Sequence, residues 1–370
     1  MRRALLLLAL ALAACDTADP PPAPDGLFDG AAFLSDADGL AGNWAWTRPG
    51  MRCRDGSPTG AMVRPAPGSR ELLILLQGGG TCATPETCGR NRAAFSRADA
   101  AAFVDRLDGN AVFADRADNP FAGWNVVVVP YCTGDLHAGT RDAAVPGVDG
   151  TQRFAGAANL DAVLGQIGPA ARQAATVVLA GVSAGGIGAT LSVGRAASAL
   201  APAPVHLVAD GGPIPLDSAA FAPALQRRWV DLWGLALPAG CLDCDPDRGP
   251  GLGAVLPFWT RRYPDRRFGV VAFQNDVALR ALYGAVGPEC ADTRGASCRL
   301  APAAYAAGLQ SVRDALPTDA AALFVPPGEG HTSLLSPDLF DRTAGGAALT
   351  DWLRALATGG PLPEVGAPTP

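Results

Sequence analysis

The chain contains no lysine: all 29 of its basic residues are arginines, spread without a basic run or stripe. That distribution excludes nucleic acid as a partner, because phosphate backbones are held by clustered positive charge. Histidine is nearly as scarce, with three in 370 residues, so candidates for a base near neutral pH are few. The N-terminal apolar run, Ala4 to Ala14, is too short to span a bilayer, where about 20 residues are needed. No internal repeat is present. The glycine-rich loop after the apolar run 71–77 lacks both G-x-G-x-x-G spacing and a P-loop lysine, which argues against phosphate binding. Against these absences, 49% of residues are apolar, enough to bury a substantial core.

The N-terminus reads as a targeting segment. Met1-Arg2-Arg3 precedes the apolar run, and Leu12-Ala13-Ala14-Cys15 resembles a bacterial lipobox. Residues 1–14 are thus expected to be a leader, with Cys15 lipidated and carrying the protein on a membrane of the cell envelope, the alternative being cleavage and secretion. Loss of Arg2 and Arg3 with the leader takes the formal charge from −6 to −8. Residues 15–39, opening on DTADPPPAPD, are expected to form a proline-rich tether. A single globular domain should follow over 40–358, with a flexible tail from 359 to 370.

Cysteine usage agrees with export. Beyond Cys15 there are eight cysteines, an even number for an oxidising compartment. Cys82/Cys88, Cys241/Cys244 and Cys290/Cys298 are near neighbours, which leaves Cys53 and Cys132, although eight cysteines allow about 105 pairings. The Cys-x-x-Cys at 241–244 has no second pair or nearby histidine to complete a metal site. No metal and no cofactor is expected.

Near-continuous apolar runs at 71–77, 125–131, 176–182, 205–210, 268–274 and 321–326 predict strands covered on both faces. Helical patterns lie between them at 101–109, 155–165, 184–200 and 336–357. The pattern predicts an α/β fold: an open, mostly parallel sheet flanked by helices. Residues 212–266, with Trp229, Trp233 and Trp259, break the rhythm and read as a cap-like insertion.

Chemistry concentrates at TVVLAGVSAGGIGAT (176–190). Gly181-Val182-Ser183-Ala184-Gly185 fits G-x-S-x-G between a strand and a helix, where a serine hydroxyl can stand at the carboxyl edge of a sheet. A serine nucleophile needs a base. His206 lies inside a predicted strand and reads as structural. His331, in PPGEGHTSL after the last strand, completes the order Ser…acid…His; His137, in YCTGDLHAGT, ranks second as base and first as a substrate contact. Asp276, in FQNDVAL, is the preferred acid over Asp210, which also ends a strand. Gln77-Gly78-Gly79-Gly80 and the Ala184 amide offer oxyanion donors.

Four segments together resemble the pectin acetylesterase family, which includes the Notum carboxylesterases: 53–65, 75–88, 127–140 and 179–191. VADGG, FQNDVAL and GEGHTSL continue the likeness in order. The resemblance implies an α/β-hydrolase-like fold, Ser183 as nucleophile, Asp276 as acid, His331 as base, and oxyanion donors at Gly79, Gly80 and Ala184. It also implies disulfides Cys82–Cys88 and Cys53–Cys132. Where plant and animal members often carry an aromatic residue after the glycine pair, this chain has Gly80, and 212–266 matches poorly. The expected activity is a monomeric extracytoplasmic carboxylesterase acting on a small ester or an acylated polysaccharide, with deacetylation as one form. The alternatives are a lipase- or thioesterase-like deacylase for longer chains, and a catalytically silent binding protein on the same scaffold.

Overall fold

A computed structural model describes residues 26–235, 237–285, 298–317 and 320–369. The leader, Cys15, most of the tether and Cys290 lie outside the described residues. Along the chain the strands are β1 (Asp38–Gly39), β2 (Ala45–Thr47), β3 (Ala61–Arg64), β4 (Glu71–Leu76), β5 (Asn125–Val129), β6 (Arg141–Ala144), β7 (Thr151–Phe154), β8 (Thr176–Val182), β9 (Val205–Asp210), β10 (Phe268–Val271), β11 (Ala321–Phe324), β12 (Thr343–Ala344) and β13 (Ala347–Ala348). The helices are α1 (Ala32–Ser35), α2 (Pro85–Arg90), α3 (Arg97–Leu107), α4 (Gly156–Ala171), α5 (Ala184–Ala199), α6 (Pro223–Trp233), α7 (Val255–Arg262), α8 (Val277–Gly284), α9 (Pro302–Asp314) and α10 (Leu349–Ala357).

Nine strands form one sheet in the order β1-β2-β3-β5-β4-β8-β9-β10-β11. From β5 to β11 every neighbouring pair is parallel, while β1 to β3 add an antiparallel edge. The six strands expected from apolar runs are all present. The short edge strands carry no comparable run, which is why the sequence did not announce them. Alternation along β4 divides the core: Leu72, Ile74 and Leu76 meet Leu160, Val163 and Ile187 of α4 and α5, whereas Leu73 and Leu75 meet Phe103, Trp352 and Leu353 of α3 and α10. Both faces are covered, so continuous hydrophobicity is what these strands require. Parallel pairing has one consequence for chemistry, because it brings the carboxyl ends of β4, β8, β9, β10 and β11 to a single edge.

Four expectations need correction. Residues 336–357 are not one helix. A single 3-10 turn (Pro337–Asp341) and the β12–β13 hairpin precede α10, because Gly345 and Gly346 take left-handed φ values of 52° and 83°. The described part of the tether is packed: Phe28 is buried and the Leu27 amide donates to the Ser69 carbonyl. The tail from 359 is also held. Val365 exchanges backbone bonds with Leu323 and Val325, and Leu362 is buried. Finally, 212–266 does not act as one cap. In α6, Trp229 stacks on Trp233 near the carboxyl edge, while Trp259 of α7 lies against Gly194 on the flank of α5. Among the described residues, no helix is long and apolar enough to cross a membrane.

Candidate active site

Ser183 stands between β8 and α5 with φ 58° and ψ −122°, a conformation that L-residues rarely adopt and that costs on the order of 1–3 kcal/mol. The surrounding backbone holds it there. Its amide donates to the Asp210 carbonyl at 2.7 Å, and its own carbonyl accepts from Gly186 and Ile187. A side chain at Gly181 would collide with the Gly185 carbonyl, and one at Gly185 with the carbonyl of Leu76. Both glycines of G-x-S-x-G are therefore steric requirements of the turn. Ala184 begins α5, so its amide is one of the unpaired donors at a helix start.

His331 reaches Ser183 from the loop after β11. Its Nε2 lies 2.7 Å from Ser183 Oγ, and its Nδ1 lies 2.7 Å from Asp276 Oδ2. A carboxylate only accepts, so Nδ1 carries the proton and Nε2 is left to accept from the serine hydroxyl. Asp276 is fully buried, while the His331 side chain is 30% exposed and open to the cavity. The other oxygen of Asp276 caps α8 by accepting from the Leu279 amide at 2.9 Å. The same carboxylate thus starts a helix and orients the imidazole, one oxygen for each task. A hydroxyl, an imidazole and a carboxylate joined in this order can move a proton off the hydroxyl as it attacks.

The remaining candidates separate cleanly. Gly79, Gly80 and Ala184 line the cavity beside Ser183, and among the described residues nothing accepts a hydrogen bond from their amides. His137 does not touch substrate space. It is 1% exposed, stacks on Tyr131 at 4.6 Å and contacts the Gln77 carbonyl through Nε2 at 2.8 Å. Burial lowers its pKa to about 4, so the ring is neutral and Nε2–H donates, propping the glycine loop from beneath. His206 is structural, as expected, accepting from the Arg267 amide through Nδ1. Disulfides join Cys53–Cys132, Cys82–Cys88 and Cys241–Cys244. Cys298 is also disulfide-bonded.

Asp210 makes no hydrogen bond to His331 among the described residues; its place is beneath the loop that carries it. Its Oδ2 accepts the amides of Ser333 and Leu334, both at 2.7 Å, while Oδ1 has no partner among the described residues. Sequence reasoning saw an aspartate ending a strand and had no signal for this use. Burial pushes its carboxyl up to about 7, against the pull of the two amides. Free aspartate titrates near 4, so between about pH 4 and 7 the folded chain holds a proton that the unfolded chain releases, and that stabilisation is lost as pH rises through 7. Asp210→Asn cannot ionise. Its Tm relative to the parent should therefore rise between pH 5 and pH 8, and an offset that stays constant across that range refutes the linkage.

Two cavities meet at Ser183 and His331. One, of about 350 Å³, has an apolar wall of Leu225, Trp229, Leu279 and Leu282, facing Thr84 and Thr87. The other is an open groove of about 530 Å³ with Arg90, Arg92, Arg106, Phe95 and Tyr131 along it. Among the described residues no cluster of histidine, cysteine, aspartate or glutamate is arranged to hold a metal ion.

A family model described as pectinacetylesterase matches residues 44–221, which include the glycine loop and Ser183 but neither Asp276 nor His331. The palmitoleoyl-protein carboxylesterase notum2 of Xenopus laevis is 33% identical over 153 residues, 40% of this chain and 30% of that protein. The Drosophila melanogaster palmitoleoyl-protein carboxylesterase NOTUM is 29% identical over 218 residues, 53% of this chain and 32% of that protein. The chain therefore spans about a third of the length of these curated relatives. A solved structure of the Wnt deacylase Notum from Drosophila superposes with a TM-score of 0.62 at 24% identity, covering 89% of this chain and 95% of that one. The shared fold is an α/β-hydrolase-like one.

Proposed function

We propose that the chain, which matches the pectinacetylesterase family model over residues 44–221 and resembles the Notum carboxylesterases, is a serine carboxylesterase working through Ser183, His331 and Asp276. His331 Nε2 takes the hydroxyl proton as Ser183 Oγ attacks the ester carbonyl. The oxyanion is received by the amides of Gly79, Gly80 and Ala184, each such donor contributing about 3 kcal/mol. The imidazolium, steadied by Asp276, passes its proton to the departing alcohol, and water then frees the acid from the acyl-enzyme. The observation that carries this reading is the pair of 2.7 Å contacts made by the two ring nitrogens of His331. Residues 148 and 55 positions away in sequence meet one imidazole.

The two cavities support a division of the substrate. The apolar wall of Leu225, Trp229, Leu279 and Leu282 suits an acyl chain longer than acetyl. The open groove, with its arginines and aromatic rings, suits a hydroxylated alcohol such as a sugar of an acylated polysaccharide. Each buried methylene contributes about 0.8 kcal/mol, so kcat/KM for p-nitrophenyl esters should rise about fourfold per methylene from C2 until the cavity is filled. A maximum at C2 would return the reading to deacetylation.

The N-terminal pattern and the disulfides support export with a lipid on Cys15. Intact-mass measurement of the membrane-extracted protein, before and after a fluorophosphonate, reads both points. Expected are a chain starting at Cys15 with added lipid mass, and one phosphonate adduct that is absent from Ser183→Ala. A folded protein that takes up no phosphonate would establish the silent binding protein instead.

A further inference from the structure

The weak point of the oxyanion loop is its own freedom. Gly79 and Gly80 have φ values of 154° and 72°, and a Cβ at Gly80 would meet nothing within 4 Å. Neither residue has a side chain of its own to fix the peptide plane between them. The C=O of Gly79 and the N–H of Gly80 belong to that one planar trans unit and point to opposite sides. Whatever holds the carbonyl decides where the amide looks.

Asn91 holds it. Its Nδ2 donates to the Gly79 carbonyl at 2.9 Å, and this is the only hydrogen bond its side chain makes among the described residues. Asn91 is 5% exposed, and its Oδ1 is buried without a partner among the described residues. A buried amide half satisfied is unfavourable by about 1–3 kcal/mol, so stability alone does not account for an asparagine here. The residue is also firmly placed. Its amide donates to the Thr87 carbonyl at the end of α2, and its carbonyl accepts Arg54 Nη2 at 2.9 Å. The same guanidinium nitrogen donates to the Cys88 carbonyl. α2 in turn is pinned by the Cys82–Cys88 disulfide and the Thr84–Thr87 capping box. Beneath the loop, the Tyr131 ring limits how far Gly79 can sink.

We propose that Asn91 is a positioning residue for ester hydrolysis: it locks the Gly79–Gly80 peptide so that the Gly80 N–H faces the developing oxyanion. The inference rests on the esterase reading, and it assigns to α2, a short helix outside the relay, the task of keeping one donor aimed. Without the Asn91 donor the glycine peptide turns over freely, and a donor that must be reoriented during reaction loses most of its worth.

The test uses Asn91→Leu, close in size but without a donor, and Asn91→Ser, which admits water and carries the experiment if leucine prevents folding. Turnover of a p-nitrophenyl ester is compared with inhibition by an alkyl trifluoromethyl ketone, whose serine adduct carries the same oxyanion. Expected is a fall in kcat of about 10- to 100-fold with KM within about twofold. The ketone's inhibition constant should rise by the factor by which kcat/KM falls. Unchanged kcat in a folded variant overturns the proposal. So does a loss expressed in KM or Tm with ketone affinity retained, since that marks a merely structural role. Failure of the esterase reading is seen separately, as a wild-type protein that neither hydrolyses the ester nor takes up phosphonate at Ser183, and it removes the proposal with it.

Discussion

Ser183→Ala should lower kcat/KM for a p-nitrophenyl ester by at least about 10⁴-fold while Tm moves little. Loss of a serine nucleophile leaves only the catalysis supplied by binding and the oxyanion donors. The side chain contributes one hydrogen bond, to His331 Nε2, and alanine suffers the same backbone strain as serine at φ 58°. Glycine does not. Ser183→Gly should be equally inactive yet melt above the alanine variant, because a residue without Cβ adopts this conformation at little cost. The comparison reads function and strain together. Turnover above about 1% of wild type in either variant sinks the nucleophile assignment, and a glycine variant no more stable than alanine sinks the strain argument.

Asp276→Asn should cost about 10³- to 10⁴-fold in kcat at neutral pH, although the substitution is nearly isosteric. The reason lies in the two bonds the carboxylate makes. Oδ1 accepts from Leu279 N at the start of α8, and Oδ2 faces His331 Nδ1. An asparagine keeps the helix cap with its oxygen and so turns its NH₂ group toward the ring. Nδ1 must then accept, which leaves the hydrogen on Nε2, where no proton can be taken from Ser183. The cap survives, so Tm should fall by less than for Asp276→Ala, which loses cap and relay alike. Near-normal turnover in the asparagine variant, measured with the same ester, would show that the His331 tautomer is set by something else.

Much of this site was legible because its parts announce themselves locally. TVVLAGV ends at a serine between glycines, and collisions at Gly181 and Gly185 show that the turn cannot be made with other residues. With three histidines in the chain, elimination carried the choice of base a long way. His137 shows the limit. Its sequence setting, a polar loop after a strand, is that of a rim residue, but stacking on Tyr131 and the bond to the Gln77 carbonyl turn it inward. Periodicity does not report which way a loop side chain faces. The helix expected over 336–357 failed for a related reason, since apolar spacing persists across Gly345-Gly346 while the backbone turns there.

The sequence by itself determined the parallel α/β core, the serine turn and the glycine loop, because each follows from contacts within a few residues or from burial on both faces of a strand. Only the tertiary structure decided that Asp276, the acid the sequence preferred, does reach the imidazole, that Asp210 carries the His331 loop through Ser333 and Leu334, and that Asn91 reaches the Gly79 carbonyl. Those assignments depend on where loops from different strands cross. Two aspartates that follow apolar runs look alike in one dimension, and the fold separates them: Asp210 ends β9 and accepts two backbone amides, whereas Asp276 lies beyond β10 at the start of α8 and meets a ring nitrogen.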